Sequence, residues 1–238
     1  MPEAYERALS VRELRLRRGE QPRGYKIGFT NRAIWERYGV YAPIWGTVWN
    51  TTLFFCEGEG ELSLAGTCQP RIEPECVFGL KATPPARAGL DELLACIEWL
   101  APGFEIVQSH MPDWKFQAAD TVADSGLHAR LLVGPRRAVA DLPRDGAAFD
   151  AQLAALPVTL SRDGQRVDEG VGRNVLDGPL HALAHFLAAL RDCPGAPDLL
   201  PGDVVTTGTW TDAWPVHRGE RWDADFGAPL APLAVRFV

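Results

Sequence analysis

Residues 71–80 read RIEPECVFGL. In an extended chain, residues two apart point to the same side. Ile72, Cys76 and Phe78, with Pro74 among them, then share one face, and Glu73, Glu75 and Val77 share the other. The first face reads as core. The carboxylate face has two readings. It is either the water-facing side of an open sheet or a set of ligands around a cation. Side chains at this spacing have roots about 6–7 Å apart. Two ionised carboxylates that close and partly buried repel, and one is pushed to protonate unless a cation lies between them. A hard divalent ion such as Mg²⁺ prefers such oxygen ligands.

A third carboxylate lies downstream. In LDELLACIEWLA (90–101), Leu90, Leu93, Leu94, Ile97 and Leu100 follow the spacing of an amphipathic helix, and Pro102-Gly103 is its expected stop. Then GFEIVQS sets Glu105 between Phe104 and Ile106 in a short apolar strand. The order strand, helix, strand can return Glu105 to the side of Glu73 and Glu75. Three carboxylates leave coordination positions for a bidentate ligand and water, which suits a Mg²⁺ or Mn²⁺ site for catalysis more than a closed structural cage.

The rest of the chain reads as a β-rich α+β domain. Its 238 residues are 46% hydrophobic and 23% charged, enough for a sizeable core. Strands are expected in GYKIGFT, ECVFGL, FEIVQS, ARLLVG, LPVTLSRDGQRV, GDVVTTGT and APLAVRFV, with Asp163-Gly164 as a hairpin turn. A second helix is expected in DGPLHALAHFLAALR (177–191), with Asp177 as its cap, Pro179 near its first turn, and Leu180, Leu183, Ala184, Leu187 and Leu190 buried. Residues 1–23 read as a short helical or irregular segment. The net charge of −7 argues against a nucleic-acid partner, and the basic run RELRLRRGEQPRG reads as a solvated helix end. No uncharged apolar run approaches the roughly 18 residues of a membrane helix, and the N-terminus shows no secretory leader. Five cysteines without a CxxC pair suit the reducing cytoplasm.

Other residues carry paired readings. Lys26, one of three lysines, lies in an apolar strand; burial would lower its pKa and let it shuttle protons, or it pairs with a carboxylate. Lys115 in DWKFQ is an exposed strand-edge cation or touches substrate or a metal ligand. Thr207, Gly208 and Thr209 in TTGT form a turn or grip a carboxylate through N–H and hydroxyl groups. Asp120 and Asp124 read as loop holders. His181 and His185, at i and i+4, read as a partly exposed helix face rather than a metal pair.

GYKIGFT, QPRIEPECVFGL, FEIVQSHMPDWKFQAADTVAD and the segment from LPGDVVTTGTW to the end occur in that order. Together they resemble the fumarylacetoacetate hydrolase superfamily, within it the branch of 2-keto-4-pentenoate hydratases and 2-oxo-3-hexenedioate decarboxylases. The resemblance implies a β-roll or sandwich with flanking helices, formed by a single catalytic domain over residues 24–238. It implies Mg²⁺ or Mn²⁺ on Glu73, Glu75 and Glu105, sets Lys26 at the border of the site, and adds Thr209 and Trp45 of PIWG to the pocket; with the residue readings above, the catalytic candidates are Lys26 and Lys115 and the substrate-binding candidates Trp45, Thr207, Gly208 and Thr209. It implies a homo-oligomer acting on a small 2-oxo acid, first as a 2-hydroxypenta-2,4-dienoate hydratase. A decarboxylase would differ in taking a second carboxylate, for which Arg32, Arg37 and Arg130 are candidates. A C–C hydrolase would need a base such as Glu36. A binding module that has lost catalysis would hold no metal. The chain departs from the branch at its short N-terminal segment, at Ser125-Gly126-Leu127-His128 and at Leu176-Asp177-Gly178-Pro179, which bears on substrate more than on reaction class.

Overall fold

A computed structural model describes residues 1–238, the side chain of Arg37 excepted. The chain runs α1 (Pro2–Arg17), β1 (Pro22–Gly28), α2 (Trp35–Tyr38), β2 (Ile44–Trp49), β3 (Leu53–Phe55), β4 (Glu59–Leu62) and β5 (Arg71–Leu80). It continues through α3 (Leu90–Cys96), β6 (Ile97–Val107), α4 (Ala118–Ala123), β7 (His128–Val133), β8 (Arg137–Ala138) and α5 (Gly146–Ala155). It ends with β9 (Pro157–Arg162), β10 (Gln165–Val171), α6 (Pro179–Arg191), β11 (Val204–Thr206), β12 (Trp214–Pro215), β13 (Arg221–Asp225) and β14 (Leu233–Phe237).

The strands form two mixed sheets. The larger orders β2-β1-β11-β5-β6-β7-β3, with β12 against β5 and β8 against β6; the smaller orders β10-β9-β13-β14-β4. Ile72, Cys76 and Phe78 face the main core with Phe104, Leu132 and the buried stripe of α6. Val77, on the carboxylate side, joins a second apolar cluster with Val48, Ala101, Leu131, Val133 and Val204. The larger sheet is thus buried on both faces, and the carboxylates sit beside the smaller cluster. No helix is long and apolar enough to cross a membrane.

Two expectations need correction. The helix expected over 90–101 ends at Cys96, and Ile97 already opens β6. The ten residues of β5 find their partner in that strand, from Arg71 opposite Val107 to Leu80 opposite Ile97. Long-range pairing thus overrides helical spacing, aided by β-branched Ile97 and aromatic Trp99. Pro102-Gly103 lies inside the strand. Pro102 falls between the residues that pair with β8 (Trp99, Leu100) and those that pair with β7 (from Gly103), where a missing N–H breaks no ladder bond on that edge. At α6, Asp177 is not the cap. Buried Asp150 of α5 accepts the Leu180 N–H at 2.6 Å, while Asp177 pairs with Arg32 at 2.6 Å. The Asp163-Gly164 hairpin is present, with φ of 50° and 78° as a tight primed turn requires.

Candidate active site

Glu73 on β5 stands directly opposite Glu105 on β6, and Glu75 follows two residues on. One carboxylate oxygen from each lies within 4.8 Å of the others. Glu75 and Glu105 are fully buried, and Glu73 opens onto a cavity of about 460 Å³. Lys26 reaches the same point from β1, its Nζ 3.1 Å from Glu105 Oε2. The glycine of TTGT completes the floor. Gly208 sits at φ 97° and its N–H donates to Glu75 Oε2 at 2.6 Å. A Cβ there would stand 1.9 Å from Thr30 Oγ1, so only glycine brings this N–H so close.

Glu105 has a second partner, absent from the sequence reading. His128 Nδ1 lies 2.8 Å from Glu105 Oε1, and its Nε2 lies 2.9 Å from Thr52 Oγ1. Strand parity alone would turn His128 away, because Glu105 faces Leu131. A bulge between Ile106 and Val107 shifts the register so that His128 meets Val107, on the same face as Glu105. Burial pushes the His128 pKa down. The neutral ring that satisfies both contacts donates Nδ1–H to Glu105 and accepts the Thr52 hydroxyl.

The electrostatics separate the three acids. Burial raises the Glu73 pKa to about 7, with Lys26 opposing and Glu105 adding. Burial and then the Glu105 and Glu73 carboxylates hold Glu75 well above the ordinary range. For Glu105, burial works against ionisation, but the Lys26 ammonium and the His128 ring hold it below its usual value. Lys26 is itself raised: burial opposes its charge, and the three carboxylates outweigh that. The lowered pKa expected from burial alone is therefore corrected, since the carboxylates around Lys26 stabilise the ammonium.

This donor set fits a hard divalent cation. It offers carboxylate oxygens only, and Glu75 Oε1 is buried with no partner of hydrogen-bonding geometry, a costly state that a cation relieves. Two predictions follow from the geometry. Because the folded pKa values of Glu73 and Glu75 are raised, the metal-free protein retains protons that the unfolded chain has lost, and loses stability as pH climbs toward 7. A bound cation displaces those protons, so thermal shift should show a larger Mg²⁺-induced rise in Tm at about pH 8 than at about pH 6. Second, His128→Leu leaves Glu105 Oε1 without its donor. Mn²⁺ titration should show affinity about 10–100-fold weaker, with part restored in His128→Asn.

The other residues expected at the site separate. Thr209 and Gly208 line the cavity. The Thr207 hydroxyl instead donates to the Cys76 carbonyl at 3.0 Å and is fully buried. Lys115 points to solvent, its side chain 81% exposed and 3.4 Å from Asp113. Its neighbours Trp114 and Phe116 line the cavity instead. Trp45 is buried but stacks on Tyr5 of α1, ring centroids 4.6 Å apart, and its neighbour Ile44 lines the cavity instead. The sequence reading missed the remaining walls, above all Arg71, Phe29 and Tyr38. Arg71 was legible, because it shares the Glu73/Glu75 face of its strand. His181 lies beside Asp150, and neither it nor His185 reaches this site.

No family model matches the chain. It is 32% identical over 222 residues to a 2-hydroxyhexa-2,4-dienoate hydratase of Comamonas testosteroni, covering 93% of this chain and 80% of that protein. It is 30% identical over 205 residues to a 4-oxalocrotonate decarboxylase of a Pseudomonas species, covering 86% and 75%. In structure it is similar to the 4-oxalocrotonate decarboxylase of Pseudomonas putida G7 complexed with magnesium and adipate. That match has a TM-score of 0.84 at 26% identity and covers 99% of this chain and 85% of that one. Relatives of both kinds thus match most of the chain, and the chain belongs to the family of 2-keto-4-pentenoate hydratases and 4-oxalocrotonate decarboxylases within the fumarylacetoacetate hydrolase superfamily.

Proposed function

We propose that this protein is a divalent-metal-dependent lyase that hydrates a small 2-hydroxy-2,4-dienoic acid. The observation that carries this reading is the cluster of Glu73, Glu75 and Glu105 with Lys26 at the floor of the cavity. These carboxylates would hold Mg²⁺ or Mn²⁺. When bound, such an ion supplies Lewis-acid stabilisation of negative charge on the substrate's C1 and C2 oxygens.

The chain's own groups account for the rest. Lys26 enters as an ammonium, held so by its carboxylate neighbours. From Nζ it gives a proton to the dienol carbon skeleton during ketonisation and recovers the one released from the C2 hydroxyl. Water then adds at C4 of the resulting 2-oxo-3-enoate, its hydroxyl to C4 and its proton to C3. A run of rings, Phe29 to Tyr38 at 5.2 Å, Tyr38 to Phe116 at 5.7 Å and Phe116 to Trp114 at 5.9 Å, walls the cavity and shields a flat conjugated acid from bulk water. We assign substrate contact to Thr209 rather than Thr207. The five free cysteines agree with a cytoplasmic enzyme. The exposed Phe54 and Phe55 on edge strand β3 favour assembly as a homo-oligomer.

Arg71, which lines the cavity, favours a second reading, decarboxylation of 2-oxo-3-hexenedioate. The hydrolytic reading gains no such support, since Glu36 is exposed and does not line the cavity. The test is product analysis by NMR with Mg²⁺ present. Formation of 4-hydroxy-2-oxopentanoate from 2-hydroxypenta-2,4-dienoate is expected. CO₂ release from 2-oxo-3-hexenedioate without hydration of the dienoate would move the assignment to the second reading, and turnover of neither would overturn both.

A further inference from the structure

Thr206 ends β11, the strand that lies between β1 and β5 in the larger sheet. It stands opposite Val77, so its side chain shares the face of Val77, Glu75 and Glu73. The next residue of β11's path on that face is Gly208, whose N–H donates to Glu75 Oε2. Thr206 is thus the diagonal neighbour of Glu75 across the strand pair, a spacing that a long side chain spans.

A hydroxyl at this position is costly. Thr206 is fully buried. Val77 opposite it and Val204, two residues before it, belong to the smaller apolar cluster with Val48 and Leu131. Among the described residues, Thr206 Oγ1 is the one hydroxyl oxygen buried without a partner of hydrogen-bonding geometry. Valine would fill the same space and bury no unpaired polar group. The adjacent Thr207 shows the ordinary solution, since its hydroxyl donates to the Cys76 carbonyl at 3.0 Å.

The atom left in the same state on this face is Glu75 Oε1. Burial and then the Glu105 and Glu73 carboxylates raise the Glu75 pKa, while Lys26 and then the Thr206 hydroxyl act to lower it. A hydroxyl donates best to an ionised carboxylate, and that is the form a divalent ion requires. With the Gly208 N–H on Oε2 and the Thr206 O–H on Oε1, the carboxylate is held from both sides and presents one oxygen rather than a chelating pair. Mg²⁺ and Mn²⁺ take single carboxylate oxygens in octahedral sites, whereas Ca²⁺ accepts more ligands and bidentate carboxylates.

We propose that Thr206 is a positioning residue of the metal site: its hydroxyl donates to Glu75 when the glutamates hold a divalent ion, and the one-oxygen orientation it imposes favours Mg²⁺ or Mn²⁺ over Ca²⁺. The proposal rests on the reading of Glu73, Glu75 and Glu105 as metal ligands and deepens it.

The test is calorimetric titration with Mn²⁺ and with Ca²⁺, without substrate, on wild type, Thr206→Val, Thr206→Ser and Thr207→Val. Thr206→Val should bind Mn²⁺ about tenfold or more weakly, the scale for loss of a group that orients a ligand. Its Ca²⁺ affinity should fall much less, so the preference for Mn²⁺ narrows. Thr206→Ser should restore the preference, and Thr207→Val should keep it. The metal-free Tm of Thr206→Val should be no lower than that of wild type, because only an unbonded hydroxyl is lost. Unchanged Mn²⁺ affinity in Thr206→Val, or an equal loss for both ions, overturns the proposal and leaves the metal site standing. Wild-type protein that binds neither ion would overturn the metal site itself, and Thr206's role with it.

Discussion

Glu75→Gln should weaken divalent-ion binding by at least ~100-fold, beyond what loss of an outer partner costs, and turnover should fall with it. The same change should make the metal-free protein more stable. Glu75 is fully buried, with one oxygen on the Gly208 N–H and the other lacking a partner of hydrogen-bonding geometry. Burial and the two neighbouring carboxylates disfavour its charge. Gln keeps the size and the acceptor for Gly208 while removing that charge, so the metal-free Tm should rise, with a gain on the order of 1 kcal/mol or more. Opposite signs for metal-free stability and metal affinity mark a ligand. A glutamate serving only the fold would lower Tm when replaced and leave metal affinity alone. Manganese titration and thermal unfolding, each on wild type and variant, read both quantities.

Lys26→Met should separate binding from chemistry. Lys26 is 3% exposed and its partner Glu105 is fully buried. Removing one member of such a pair leaves an uncompensated charge and costs about 3–5 kcal/mol in the metal-free protein. A divalent ion would supply the missing positive charge, so saturating Mg²⁺ should recover most of that loss. Metal affinity should rise, because a cation no longer competes for Glu105. Turnover should nevertheless fall by about 10²–10⁴-fold, the range for a lost proton-transfer group. A variant that binds metal more tightly yet does not turn over assigns Lys26 to proton transfer. Undiminished turnover would leave Lys26 as a counter-charge only.

The carboxylate face was legible because two-residue alternation is a local rule, and Glu73, Glu75 and Arg71 obey it on one strand. That the Glu105 strand returns beside them was also readable, although the path differed. The chain turns directly from a short α3 into β6, because pairing along ten residues of β5 outweighs helical spacing at Ile97–Leu100. His128 was not legible, because its direction depends on a bulge, and a one-residue register shift carries no mark in composition or periodicity. Trp45 and Lys115 lie off the cavity lining. Each lies one residue from cavity-lining neighbours: Trp45, opposite Ile27 in the β1–β2 pair, turns to the core face and stacks on Tyr5, and Lys115, after the turn at Pro112–Trp114, points to solvent. The capping of α6 by Asp150, from a different helix, is likewise a long-range fact.

The most direct test of the central claim follows the dienol absorbance of 2-hydroxypenta-2,4-dienoate in parallel reactions. One contains wild-type protein with Mg²⁺, the second adds a chelator, and the third replaces wild type with Glu75→Gln. Loss of absorbance only in the first, returning to the second when Mg²⁺ is restored in excess, is the predicted result. Turnover that persists through chelation, or in Glu75→Gln, would place the chemistry somewhere other than the three glutamates.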